Sequence, residues 1–142
     1  MFAYQWPRAS VTADAVLFAL KDEQVFVLLI QRANEPYKGC WAFPGGFLEM
    51  DETVPQCAER ELMEETGIQL SNLQLVGIYS DVNRDPRGRV ITAAYTAMTS
   101  MPTASAADDA AAAKWWPLNN LPTLAFDHQT ILNDAKRILD LK

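Results

Sequence analysis

Residues 57–68 read CAERELMEETGI, which places Glu59, Glu61, Glu64 and Glu65 within seven positions. Like charges at i,i+4 destabilise a helix by a few tenths of a kcal/mol each. A cation, a neighbouring arginine or solvent must offset that repulsion. The ends of the segment specify a helix all the same. Thr53 and Gln56 form a T-x-x-Q capping box, and Pro55 falls in the first turn, where its missing N–H costs little. Gly67 is placed as the left-handed residue that ends the helix, with Ile68 as the apolar residue after it. Val54, Ala58 and Leu62 make one apolar stripe, predicted to pack on a sheet. Glu61, Glu64 and Glu65, at i, i+3 and i+4, share a neighbouring face. Three carboxylates in that pattern suit Mg²⁺ or Mn²⁺ rather than zinc; the alternative is a solvated acidic face laced by Arg60. Glu52 lies in the loop that begins at Gly46, within reach of Arg60.

On either side of this helix the pattern is mostly strand. Val11 to Leu20 alternates, and Val25 to Ile30 is a continuous apolar run that suits a strand buried on both faces. Residues 32–46 are loop-like, with a short strand around Trp41 to Phe43. Further strands are predicted near Leu73 to Ser80, Val90 to Met98 and Trp115 to Leu118, with residues 102–113 as a small-residue loop. A last helix starts from about Asp127 as N-cap, with Ile131, Leu132, Ala135, Ile138 and Leu139 on its apolar face. Strands interspersed with two main helices predict an α/β (α+β) sandwich, a central sheet with one helix on each face.

At 142 residues the chain reads as a single domain over 1–142, and 49% hydrophobic with 21% charged residues is ordinary globular composition. The net charge of −6 argues against nonspecific binding to nucleic acid or anionic membrane. An acidic protein that handles phosphates needs a metal ion to mediate. Cys40 and Cys57 form no CxxC pair, and no apolar run approaches a membrane span. With no signal-peptide pattern, a reducing cytoplasmic setting is expected.

Gly46, Glu52, Arg60, Glu61, Leu62, Glu64, Glu65, Gly67 and Ile68 fit G-x5-E-x7-R-E-U-x-E-E-x-G-U, where U is bulky and aliphatic. Chance agreement is on the order of one in 10⁹ per start position. This pattern resembles the signature of the Nudix hydrolases. The resemblance implies an α/β/α sandwich around a mixed sheet, and hydrolysis of a nucleoside diphosphate linked to another group, with divalent cations, usually Mg²⁺. It implies Glu61, Glu64 and Glu65 as metal ligands, with Glu61 also catalytic. Glu52 and Arg60 would orient the site, and Gly46 would let the backbone approach metal or phosphate. Such a cation would account for the crowded glutamates, because it inverts the sign of an acidic pocket that must receive a polyanion.

The stretches VTADAVLF, GCWAFPGGFLE, NRDPRGRVITAAY and LAFDHQTIL extend the likeness to the ADP-ribose pyrophosphatase branch and to Nudix-related regulators that sense ADP-ribose-type ligands. Arg32, Arg84 and Arg87 are candidate substrate contacts; the alternatives are an ordinary surface arginine and a charged hairpin turn. Many relatives carry a Glu about three residues before a strand Trp, where this chain has Ala112. Asp108 or Asp109 can substitute as base, or Glu61 or Glu52 must serve. Trp6, Trp41, Trp115 and Trp116 read as packing or as base-stacking groups, and His128 as a structural hydrogen-bonding residue.

The leading expectation is therefore a Mg²⁺-dependent pyrophosphatase, with Mn²⁺ as substitute, that converts ADP-ribose to AMP and ribose 5-phosphate. A nucleoside triphosphate pyrophosphatase and a catalytically weak ligand sensor are the alternatives. The complete glutamate set weighs against the sensor and the absence of an appended DNA-binding segment against a stand-alone transcriptional regulator, while Ala112 in place of Glu keeps the sensor reading open. The expected partner is a nucleoside diphosphate-type small molecule, and many relatives form a homodimer.

Overall fold

The computed structural model describes residues 3–101 and 110–141. Its elements run β1 Ser10–Lys21, β2 Gln24–Arg32, β3 Trp41–Ala42, β4 Gly45–Phe47, α1 Val54–Thr66, β5 Gln74–Tyr79, β6 Val90–Thr99, β7 Ala110–Pro117 and α2 His128–Ile138. The sheet is mixed. Strands β3, β2, β1, β6 and β5 lie side by side in that order, with β4 also on β1 and β7 also on β2. β1 runs antiparallel to β2 and parallel to β6. The β1–β2 hairpin turns on Asp22 and Glu23, both at positive φ (53° and 63°), as a two-residue loop that follows the strand twist requires.

Alternation along β1 assigns its faces. Ala13, Ala15 and Leu17 pack with Cys57, Ala58 and Leu62 of α1, whereas Val16 and Phe18 pack with Ile131, Leu132 and Ala135 of α2. One helix covers each face, which is the expected sandwich. The apolar stripe of α1 is as predicted, with Ala58 and Leu62 fully buried and Val54 half-buried.

Both ends of α1 carry the predicted chemistry. Thr53 Oγ1 accepts from the Gln56 N–H, Gln56 Oε1 accepts from the Thr53 N–H, and Gly67 ends the helix at φ 77°. At α2, Asp127 holds the N-cap position without capping, because its carboxylate is taken by Arg84.

One expectation needs correction. The loop predicted over 102–113 ends earlier, because β7 begins at Ala110 and pairs along β2, with Gln31 opposite Ala112 and Ile30 opposite Ala113. Cross-strand pairing overrides the weak strand preference of alanine. Residues 102–109, with Asp108 and Asp109, lie outside the described residues. Among the described residues no helix is long and apolar enough to cross a membrane.

Candidate active site

The loop before α1 is pressed against the sheet and the helix at once. Gly45 and Gly46 pair with Asp14 and Ala13 of β1. A Cβ on Gly45 would fall 2.2 Å from Asp14 Oδ1 and 2.5 Å from the Ala13 carbonyl oxygen; one on Gly46 would fall 2.5 Å from Glu61 Oε1. At Gly45, which meets backbone, only glycine fits; at Gly46 a side chain would push the Glu61 carboxylate out of place. The double glycine therefore brings the loop backbone directly onto the glutamates. The Gly45 N–H donates to Glu65 Oε2 at 3.0 Å, and the Cys57 thiol donates to the Gly46 carbonyl at 3.6 Å. Burial pushes that thiol up to about 12, so it stays protonated and unreactive.

Arg60 organises the acidic side. Its Nε and Nη2 donate to the two oxygens of Glu52 at 2.9 and 2.8 Å, Nη2 also reaches the Phe47 carbonyl at 3.1 Å, and Nη1 donates to Glu61 at 2.9 Å and to Glu64 at 3.0 Å. Hydrogen bonding from Arg60 holds the Glu52 carboxyl down to about 2. Glu61 moves the other way. Burial raises it, repulsion from Glu64 adds to the rise, and Arg60 only partly opposes it.

Glu61, Glu64 and Glu65 are not alike in this arrangement. Glu65 is buried, Glu61 is half-buried and within hydrogen-bond reach of Glu65, and Glu64 is exposed with Arg60 on its carboxylate. Among the described residues no three acidic, thiol or imidazole groups are close enough to enclose a metal as they stand. The donors fit one chemically. All are hard carboxylate oxygens around a backbone cradle that a Cβ would fill, and Glu61 carries charge that a divalent cation would stabilise.

A cavity of about 170 Å³ opens beside this loop, and its lining includes Gly45, Gly46 and Glu65 together with Arg32, Arg84 and Arg87. Arg84, nearly buried, forms a two-pronged pair with Asp127 at 2.9 and 2.7 Å. Arg87 grips buried Asp85 through its backbone N–H, Nε and Nη2. Burial raises the Asp85 carboxyl, yet Arg87 outweighs this and holds it below the usual range. Arg32 has no carboxylate within ion-pair distance among the described residues. Its Nε donates to the Pro36 carbonyl at 2.7 Å, and it lies 5.0 Å from the Phe126 ring, with Arg87 5.4 Å from the same ring. Burial and then the charge of Arg87 both pull the Arg32 pKa down. The three candidate arginines therefore meet at one cavity, but Arg84 is committed to Asp127.

Other candidates fall elsewhere. Trp41 and Trp116 pack edge to face at 5.0 Å and Trp115 joins the α1-side core, whereas Trp6 is 69% exposed and away from this cavity. His128 is buried, and its Nδ1 accepts from the Phe43 N–H at 3.1 Å. Asp14, Asp85, Phe126 and Asp127 were missed as site residues. The detectable signal was Asp14, an acidic residue inside an apolar strand.

The NUDIX domain family matches residues 10–135. The ADP-ribose pyrophosphatase of Methanocaldococcus jannaschii is 48% identical over 128 residues, covering 90% of this chain and 73% of that protein. The ADPR responsive transcriptional repressor NtrR of Acinetobacter baylyi is 36% identical over 135 residues, 92% of this chain; the chain spans about half of the repressor, 54%. Among solved structures, the Nudix domain of Shewanella oneidensis NrtR complexed with ADP ribose aligns with a TM-score of 0.89 at 35% identity, covering 94% of this chain and 90% of that one. With the glutamate loop and helix, the sandwich and nine-tenths of the length in agreement, this chain belongs to the Nudix family.

Proposed function

We propose that this protein hydrolyses the diphosphate of ADP-ribose, releasing AMP and ribose 5-phosphate. The observation that carries this reading is the 48% identity, over 90% of the chain, to an ADP-ribose pyrophosphatase. Water adds to one phosphorus, the bridging P–O bond breaks, and each phosphate leaves as a monoester once the water's proton is accepted.

A divalent cation, Mg²⁺ or Mn²⁺ by the hardness of its donors, would be held by Glu61, Glu64 and Glu65, would neutralise phosphoryl charge and would acidify a bound water. Arg60 orients Glu61 and Glu64, and Glu52 holds Arg60 in place. Glu52, locked on a guanidinium and held at about 2, is a poor proton acceptor. The base is then Glu61, or Asp108 or Asp109. Arg32 and Arg87 supply N–H donors to the diphosphate, while the Gly45–Gly46 backbone carries it past the glutamates. Free thiols at Cys40 and Cys57 support a cytoplasmic setting.

The test is incubation of the purified protein with Mg²⁺ and either ADP-ribose or nucleoside triphosphates, reading products by chromatography. AMP from ADP-ribose is expected; pyrophosphate from a triphosphate instead would move the substrate. The likeness to an ADPR responsive repressor over 92% of this chain favours a second reading, a ligand sensor. Binding of ADP-ribose without any turnover would select it. A paired Asp108→Asn, Asp109→Asn variant assigns the base, since an unchanged rate would leave Glu61.

A further inference from the structure

The lining of the cavity holds a buried carboxylate that the reaction above does not use. Asp14 lines the same cavity as Glu65 and Arg32 and is 7% exposed. Among the described residues it accepts one hydrogen bond, from Thr92 Oγ1 to Oδ2 at 2.7 Å. Its other oxygen lies against the bare α-carbon of Gly45, where no side chain can stand.

No arginine or lysine of the described residues comes within 4.0 Å of Asp14; the basic nitrogen at that range is His128 Nε2, 3.9 Å from Oδ2. That gap is too long for a hydrogen bond. Because His128 Nδ1 accepts from the Phe43 N–H, the neutral ring carries its proton on Nε2, and burial keeps the ring neutral. Arg84, whose charge also acts on Asp14, is tied to Asp127. Asp14 thus has acceptor capacity to spare at the edge of a cavity, and buried carboxylate oxygens require donors.

The ligand chemistry follows by elimination. A phosphate is repelled by a carboxylate, and an ammonium group is repelled by Arg32, which lines the same cavity with no carboxylate at ion-pair distance among the described residues. A neutral hydroxyl satisfies both. The cavity, at about 170 Å³, is smaller than the pocket a whole drug-sized ligand occupies, roughly 300–1,000 Å³. It suits one sugar beside a phosphate.

The geometry points to Asp14 as the acceptor for a ribose hydroxyl, at a sugar subsite in this cavity, with Thr92 fixing its orientation. The inference rests on the proposed cleavage of a ribosyl diphosphate. ADP-ribose has two riboses, and the adenosine and terminal sugars share this chemistry.

Calorimetry on the intact protein distinguishes them without turnover. The probes are AMP against its 2′-deoxy and 3′-deoxy forms, and ribose 5-phosphate against 2-deoxyribose 5-phosphate. The wild type is expected to prefer the hydroxylated member of one set by about tenfold, the worth of one charge-assisted hydrogen bond. Asp14→Ala is expected to shrink that preference to about twofold. Asp14→Asn, which keeps an oxygen for Thr92, serves if the alanine variant does not fold and should lower the preference about threefold.

A preference unchanged in both variants, no preference in the wild type, or no binding of any probe would overturn the assignment. So would loss of Mn²⁺ affinity in Asp14→Ala with the hydroxyl preference intact, which would make Asp14 a cation ligand. AMP release from ADP-ribose alongside a flat hydroxyl ratio sinks only the sugar subsite. An intact ratio without AMP release sinks only the proposed reaction.

Discussion

The acidic cluster of α1, of which Glu65 lines the cavity, and the basic lining of that cavity are built on opposite charge arithmetic. On the α1 side one guanidinium, Arg60, serves Glu49, Glu52, Glu61 and Glu64, so negative charge is in surplus. In the basic lining the pairing is nearly one to one. Arg84 takes Asp127, Arg87 takes Asp85, and among the described residues Arg32 is left on a carbonyl and an aromatic ring. Paired charges hold the site in shape, and the surplus is what a ligand meets. A polyanion bridged to a cation satisfies both surpluses at once, which neither phosphate nor metal alone would do.

The largest effect is expected where that surplus is removed. Glu65→Gln keeps an oxygen for the Gly45 N–H but takes away a charge from the acidic cluster. AMP release should fall by about 10²–10³-fold, on the scale of losing one preorganised electrostatic contact, with an unchanged melting curve. A wild-type rate in this variant would show that the acidic surplus has no role in the chemistry.

The paired part of the basic lining should respond in stability. Arg84 is 4% exposed at its side chain, and Arg84→Met strands the Asp127 carboxylate beside the start of α2. Breaking such a pair costs about 3 kcal/mol, a melting shift on the order of 10 °C. Adding Asp127→Asn should recover part of it, since the two sites couple directly. A raised KM with an unmoved melting temperature would transfer Arg84 from scaffold to substrate contact.

These two groups of charges were unequally legible. The acidic one is local. The capping box, the C-terminal glycine and the i, i+3, i+4 glutamates all act within one helix, and Glu52 lies eight residues from Arg60, so residue order nearly dictates the hub. The basic one depends on distance in sequence, since Arg84 finds Asp127 43 positions away and Arg32 meets Phe126 only because β2 and the entry to α2 converge. Asp14 was visible as an acid in an apolar strand. Alternation places it on one face with Val16, but the packing of α2 decides that this face opens into the cavity. The early start of β7 was hidden because alanine carries little strand preference of its own.

A smaller effect on catalysis should mark Arg32, which has no carboxylate at ion-pair distance among the described residues, and its neighbour. Arg32→Ala should raise KM about tenfold, the value of a charge-assisted contact, with kcat changing less than about threefold; Arg87→Ala should raise KM similarly and also lower the melting temperature, because it strands buried Asp85. If neither KM moves, the basic surplus faces solvent alone.

The smallest effect is expected in the pH dependence of stability. Glu52 falls from an ordinary 4.5 to about 2 on folding because Arg60 hydrogen-bonds its charged form. A depressed carboxyl contributes stability that is fully present above 4.5 and is lost as pH falls towards 2. Water reaches this hub beside exposed Glu49 and Glu64, so the contribution is about 1 kcal/mol rather than the full Coulombic value. Asp85 is also depressed on folding, but from a starting value of 3.8, so its share is lost further into acid. Acid denaturation should therefore have two limbs. Glu52→Gln should flatten the loss from about pH 5 down towards 2, and Asp85→Asn should leave the part above about pH 4 intact and flatten only the loss below it. If Asp85→Asn changed the upper limb and Glu52→Gln did not, the basic lining rather than the Arg60 hub would be setting the acid limit of the fold.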